Sequence, residues 1–422
     1  MSRLQVDPYE PFAEKVYTLS SSKQKQDLPA GVPTPSSTPW WGTGWLWGEE
    51  EDVDFVEITP REKLSRGEKF VSIAAGNAHL LALTSFGRTF AHPINMKANT
   101  HGQLGFRKFD VPEHPREPHL HIHRKEVELT PKSIADPYMN ASRSVRKPSD
   151  QPLTPVQDIV ADDSIHFSDK LFEVPALKGI KIDQVAAGAR SSFVKTANGR
   201  VLGWGANGFG QIGLGGNVAL EAITVPTEVI LWRATPQSVR TTCLDVYAGG
   251  DLTFFKVERT DGSALPYIDV LACGNGQYGG LGNAAYTTAQ GAPVRSRNVS
   301  GLLEYSERSN NMQPIYPHNI SVSPTGHVLL TLDTLARAGP GGVGRDLLVW
   351  GANQEYQLGN GKRGSIASPT ALHSPEGHRF MLGKRKADVK DLSGQIWKKG
   401  VDVEQYALAG WGNSVVYWRI CR

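Results

Sequence analysis

Apolar positions along this chain fall into short runs with constant surroundings: very small residues in front and a polar turn behind. The first is SIAAGNAHLLALTSFGRTF at 72–90, the next QVAAGARSSFVKTANGRVLGWG at 184–205, and the third DVYAGGDLTFFKVERTDGSALPYIDVLACG at 245–274. SVSPTGHVLLTLDT at 321–334 keeps the shape but puts Ser323-Pro324 where the others have Ala-Gly. A fifth, YALAGWGNSVVYWRI, begins at Tyr406. A fixed order of features recurring at long intervals marks a repeat architecture. Within a unit, the tiny residues suit a backbone packed too tightly for side chains. The dipeptides Asn198-Gly199 and Asp261-Gly262 are hairpin turns, since both central positions of such a turn need positive φ. The second strand, VLGW or LLVW, ends in Trp-Gly or Cys-Gly. Each unit therefore reads as a small antiparallel blade that cannot bury both faces alone. Blades stacked around an axis can, which predicts an all-β chain folded as a β-propeller.

The stretch after the second strand, VLGWGANGFGQIGLGG at 201–216, is rich enough in glycine to suggest a phosphate loop. Such a loop must run straight into a helix whose free N–H groups hold the anion. Here it runs into NVALEAITVPTEVILW, where Pro226 and a series of β-branched residues disfavour a helix. The pattern also returns at 270–283 and 347–361, and in worn form at 99–105. Phosphate loops are not stamped repeatedly along one chain, so these glycines build blades. Asn and Gln in the loops can bond local backbone groups.

Ala-Ala-Gly, a hairpin turn, Trp-Gly-Ala-Asn and Gly-Gln-Ile/Leu-Gly together resemble the regulator of chromosome condensation repeat, whose family folds as a seven-bladed propeller. The match is close at 184–216 and 346–361 and partial at 72–105, 245–283 and 405–420, so about half of the chain is covered. About five blades are recognisable. The chain ends after what reads as a first strand, and KVYTLSSSKQKQ at 15–26 reads as a second half lacking its first; the two halves could complete one another. The opening falls in mid-unit, which points to a truncated N-terminus. The expectation is one propeller domain over 1–422 with insertions at 27–52, 106–170 and 374–400.

The architectural residues on this reading are Gly76, Gly188 and Gly249 at first strands, Gly203, Gly205, Gly274 and Gly351 in or after second strands, and Gln211 and Gln357 in the loops. The insertions carry the other candidates. Trp40, Trp41, Trp45 and Trp47 either cover a blade edge or form a partner-binding patch, since aromatic anchors dominate interfaces. His119, His121 and His123 share one side of any strand, a spacing that could bind a metal, but a polar solvated insert is the preferred reading and no metal site is expected. Lys384, Arg385, Lys386, Lys398 and Lys399 form a basic stretch open to three readings: solvated face, weak nuclear signal, or contact with anionic lipid.

Composition narrows the function. A net charge of +3 on 422 residues is too small for a nucleic-acid-wrapping surface. No apolar run is long enough to span a bilayer, so membrane contact would be peripheral. Cys243, Cys273 and Cys421 lack the spacing of a disulfide framework or zinc site, and Cys273 stands where other units have Trp204 or Trp350. No nucleophile elbow, HExxH or CxxC is present. The expectation is a binding scaffold without catalytic residues, cofactor or metal, acting on other proteins. The resemblance implies two functions. The family's founder is a guanine-nucleotide exchange factor for a small GTPase, working through a wedge loop and basic tail not found here. Irregular spacing and long inserts are more similar to the divergent mitochondrial members, tied to respiratory complex III assembly or to mitochondrial ribosome assembly. The resemblance thus implies a mitochondrial assembly factor, in the matrix or peripheral on the inner membrane. Against it, MSRLQVDPYEPFAEK is no Arg-rich targeting segment, with Asp7, Glu10 and Glu14 in it. A cytosolic or nuclear exchange factor is the alternative.

Overall fold

The structure, a computed structural model, describes residues 16–21, 53–112, 124–132, 168–216, 220–233, 235–262, 264–334, 344–373, 377–390 and 394–421. Among these residues it consists of strands and turns, with one 3-10 turn at Pro175–Leu177 and no α-helix. β1 (Val16–Ser21) and β2 (Val53–Pro60) pair antiparallel, Val16 opposite Ile58 and Ser21 opposite Val53. The first blade runs β3 (Phe70–Ala75), β4 (His79–Thr84) and β5 (Thr89–Pro93). A hairpin of β6 (Lys108–Pro112) and β7 (Arg124–Glu128) intervenes before its fourth strand, β8 (Lys170–Glu173). The second blade is β9 (Ile182–Ala187), β10 (Ser191–Thr196), β11 (Val201–Ala206) and β12 (Ala222–Val229). The third is β13 (Val239–Gly249), β14 (Leu252–Asp261), β15 (Tyr267–Gly276) and β16 (Thr287–Arg295). After the small hairpin β17 (Leu303–Ser306) and β18 (Asn311–Pro314), the fourth blade is β19 (Tyr316–Val322), β20 (His327–Asp333), β21 (Gly344–Gly351) and β22 (Ile366–Ala371). Three more strands follow: β23 (Met381–Lys390), β24 (Ile396–Ala409) and β25 (Ser414–Ile420).

Continuous apolar runs, rather than alternating ones, follow from the way the blades stack. In β14, Phe254 enters the core shared with the fourth blade while Phe255 enters the core shared with the second. In β20, Val328, Leu330 and Leu332 face the third blade, whereas Leu329 packs with Ala407 and Ala409 of β24. A strand sandwiched between two neighbours is buried on both faces, so both of its faces are apolar. First strands line the inside, β3 against β9, β9 against β13, β13 against β19 and β19 against β24. This succession of four-stranded meanders around their first strands is a β-propeller arrangement.

Three features differ from the sequence expectation. The fifth unit supplies two strands, not one, because GNSVVYWRI turns back on YALAG: Ala409 pairs with Ser414 and Val403 with Ile420. β1 does not complete it. β1 pairs instead with β2, the next strand along, as sequential strands usually do. The basic stretch within 374–400 continues the sheet, with Lys384 opposite Glu404 and Lys386 opposite Asp402.

Candidate interaction surface

The residues that fix the blades also decide where the surface is open. At the first-strand ends of the first three blades a glycine abuts the next blade. A side chain at Gly76 would strike the carbonyl of Gly188, one at Gly188 the carbonyl of Gly250, and one at Gly249 the carbonyl of Val322. Backbone bonds cross at the same level: Asn77 N–H donates to Ala189 O at 2.9 Å and Ala189 N–H to Gly250 O at 2.8 Å. In the fourth blade Pro324 has no N–H to give. Ser323 makes the link instead, its hydroxyl donating to Gly410 O at 2.8 Å. Gly205, Gly274 and Gly351 take φ of +105°, +111° and +96°, and a side chain on any of them would collide with the carbonyl before the second strand of its own blade. Gly203 lies against the Phe193 ring.

The loop residues tie one blade to the next. Gln211 accepts the Phe209 N–H at 2.9 Å and Gln357 the Glu355 N–H at 2.7 Å, each through its side-chain oxygen. Their backbone carbonyls point at the following blade. Gln103 O accepts both the Ser192 hydroxyl at 2.7 Å and the Trp204 indole N–H at 2.8 Å. The Cys273 thiol lies 3.3 Å from Gln211 O, and the Trp350 indole donates to Gly280 O at 2.7 Å. Asn99, Asn207 and Asn353, buried in the same loops, each accept the N–H five residues ahead. The sequence shows these Trp and Gln positions as repeats; it does not show that they meet across blades.

β25 ends the series differently. Its counterparts β4, β10 and β20 are buried almost throughout, each covered by a third strand, as β14 is by β15. β25 pairs with β24 alone among the described residues, and Val415, Val416, Tyr417, Trp418 and Ile420 are each 39–45% exposed. Leu408 and Trp411 extend this apolar area. A basic margin borders it: the Arg385 guanidinium lies 4.4 Å from the Trp418 ring centre, and Arg419 3.9 Å from that of Tyr406. Beneath, Glu404 is gripped by Arg345 and, at 2.8 Å, by Arg419. Burial alone would raise the Glu404 pKa, but the two guanidiniums outweigh it and hold the carboxyl at about 2.

Trp40, Trp41, Trp45 and Trp47, and His119, His121 and His123, lie outside the described residues. Among the described residues no cluster of His, Cys, Asp and Glu could hold a metal. No described helix is long and apolar enough to cross a membrane. Two Ser–His contacts occur among the described residues, Ser414 Oγ at 3.3 Å from His327 Nε2 and Ser192 Oγ at 2.9 Å from His79 Nε2. His79 and Ser192 are fully buried, desolvation drives the His79 pKa down to about 4, and the serine proton is spent on Gln103 O. That pair is a strut between blades. A cavity of about 380 Å³ between β12 and β16 contains Arg259 and Arg295, both turned onto the buried Asp269.

The chain folds as a β-propeller, and residues 182–255 and 346–382 carry regulator of chromosome condensation repeats. The family description "Regulator of chromosome condensation (RCC1) repeat" matches residues 182–211, and again 198–255 and 346–382. Among curated proteins the chain is similar to Protein FMP25, mitochondrial, of Saccharomyces cerevisiae, 23% identical over 268 residues. That match takes in 60% of this chain and 40% of the yeast protein. It is also similar to RCC1 domain-containing protein RUG3, mitochondrial, of Arabidopsis thaliana, 43% identical over 56 residues, 13% of this chain and 12% of the plant protein. The matches thus span less than half the length of either relative. Among solved structures, yeast RCC1 (Prp20) bound to Kap60 aligns over 97% of this chain and 63% of its own, with 16% identity and a TM-score of 0.46.

Proposed function

We propose that this protein is a non-enzymatic mitochondrial scaffold that assists assembly of respiratory complex III or of the mitochondrial ribosome by holding protein partners. The observation that carries the reading is the half-blade β24–β25. Four blades of this chain cover their second strand, and here alone among the described residues a second strand offers an aromatic, apolar face to a partner. Apolar aromatic patches with an arginine margin are what protein interfaces are made of. The similarity to two mitochondrial proteins supports that compartment. Placement in the matrix or on the inner face of the inner membrane belongs to the same proposal.

Deleting the gene and resolving mitochondrial extracts on native gels tests it. The expected result is depletion of mature complex III, or of one ribosomal subunit, with accumulation of a smaller intermediate, reversed by the wild-type chain. Normal complexes together with accelerated GDP release from a small GTPase would replace the scaffold by an exchange factor.

A further inference from the structure

The third blade is longer than its neighbours, and the extra length carries charge. β14 has ten residues where β4 and β10 have six and β20 has seven. Counted from the paired ends, Leu252 opposite Gly274 and Ser191 opposite Gly205, Arg259 corresponds to Asn198 in the hairpin turn of the second blade. Asp269 corresponds to Arg200, the residue before β11. Phe255 and Val257 enter the core shared with the second blade, and Arg259 is the next position on the same face. An arginine thus continues an apolar row, and it is only 5% exposed. Asp269, also buried, takes Arg295 through Oδ1, with Nε at 3.0 Å and Nη2 at 2.8 Å. Its Oδ2 faces Arg259 Nε at 3.2 Å, yet neither atom completes a hydrogen bond, although both are shut off from solvent. Buried polar groups are ordinarily bonded, so a deep guanidinium held this loosely is exceptional. The second blade packs without such a group, because its strands end before this level.

Arg259 and Arg295 line the cavity of about 380 Å³ between the second and third blades, and Arg233, just past β12, lines it from the other side. The Arg233 guanidinium rests against Gly215, where any side chain would overlap it. Three guanidiniums from two blades therefore share one cavity. Against them stands the carboxylate of Asp269, and no acidic side chain lines the cavity among the described residues, so two positive charges stay uncompensated. Much of the remaining wall is apolar, including Leu231, Leu271 and Val294. The volume is that of a small-molecule site, roughly 300–1,000 Å³.

We propose that this cavity binds a small phosphate monoester, its phosphoryl oxygens held by Arg233, Arg259 and Arg295 and its apolar body set against Leu231, Leu271 and Val294. A phosphate monoester carries about two negative charges at neutral pH, which matches the excess, and its oxygens suit the guanidinium fork. A monocarboxylate would leave one positive charge unmatched. Inorganic phosphate would leave the apolar wall without a contact. Asp269 is a positioning residue, since it holds Arg259 and Arg295 in place from behind. None of this depends on the scaffold reading.

Isothermal titration calorimetry of the full chain in phosphate-free buffer, with phenyl phosphate, inorganic phosphate and benzoate as probes, tests it. Saturable binding of phenyl phosphate at one site per chain is expected, with the other two probes at least tenfold weaker. Arg233 is exposed and makes no ion pair among the described residues. Arg233→Gln should therefore weaken phenyl phosphate at least tenfold while Tm stays unchanged, and Arg233→Lys, which keeps the charge, should recover part of the affinity. Failure of phenyl phosphate to bind would overturn the proposal, as would binding indifferent to Arg233→Gln. Inorganic phosphate or benzoate binding as tightly as phenyl phosphate would overturn the monoester assignment.

Discussion

At the residue scale the fold rests on positions where nothing but the observed side chain fits. Gly188 is such a position, since a Cβ there would lie 2.5 Å from Ser191 Oγ and 2.9 Å from the Gly250 carbonyl. Gly188→Val should therefore cost roughly 1–3 kcal/mol by overpacking and lower Tm by several degrees; an unchanged melting curve would contradict the blade register. Three buried histidines add a pH dependence. Burial lowers the pKa of His79, His92 and His327 to about 4 each. Unfolded, each would titrate near 6.5, so the unfolded state binds more protons between those values. Stability is unpenalised above about pH 6.5 and should fall as pH drops from there to about 4, by about 1.4 kcal/mol per pH unit per histidine. Urea denaturation at pH 7.5, 6 and 5 measures it. The glycines and loop glutamines were legible because they recur. Ser323 was legible only as an exception, since its role replaces an N–H that Pro324 lacks and is visible only beside Gly410.

At the scale of elements, the second strands were the most legible, because burial on both faces writes an unbroken apolar run. β23 and the first half of β24 were not. MLGKRKADVK and IWKKGVDV carry no core pattern, and their pairing is held by backbone bonds, with most side chains in solvent. Such a ribbon reads as an insertion because the sequence records burial better than it records hydrogen bonding. The base of the half-blade was equally hidden, since Arg345 is far along the chain from the Glu404–Arg419 cross-strand pair. Glu404→Gln should leave Arg419 without its carboxylate and Arg345 with Asp333 alone, and destabilise the protein by about 1–2 kcal/mol, less than a fully buried pair because Arg419 is partly exposed. The loss should appear as a lower urea midpoint. Glu404→Asp, which keeps the charge, should recover part of it.

At the scale of the whole molecule, the four complete blades and the half-blade among the described residues follow from repeats that each bury their faces on neighbours. We propose that 1–422 forms a single domain, with the excursions around 27–52 and 106–170 as parts of it. That arrangement predicts one cooperative unfolding transition seen alike by tryptophan fluorescence and circular dichroism. Two separated transitions would divide the chain. The function was less legible than the fold because it resides in a surface, and a surface strand such as SVVYWRI looks in sequence like any buried one. Its distinguishing property is the absence of a covering strand among the described residues, which only the arrangement of the blades exposes.

The central claim, a scaffold working inside mitochondria, is tested most directly by locating the endogenous protein in fractionated cells and treating intact mitochondria with protease. A mitochondrial band that survives protease until the membranes are dissolved and that sediments with assembly intermediates is expected. A band confined to the cytosolic or nuclear fraction would contradict it.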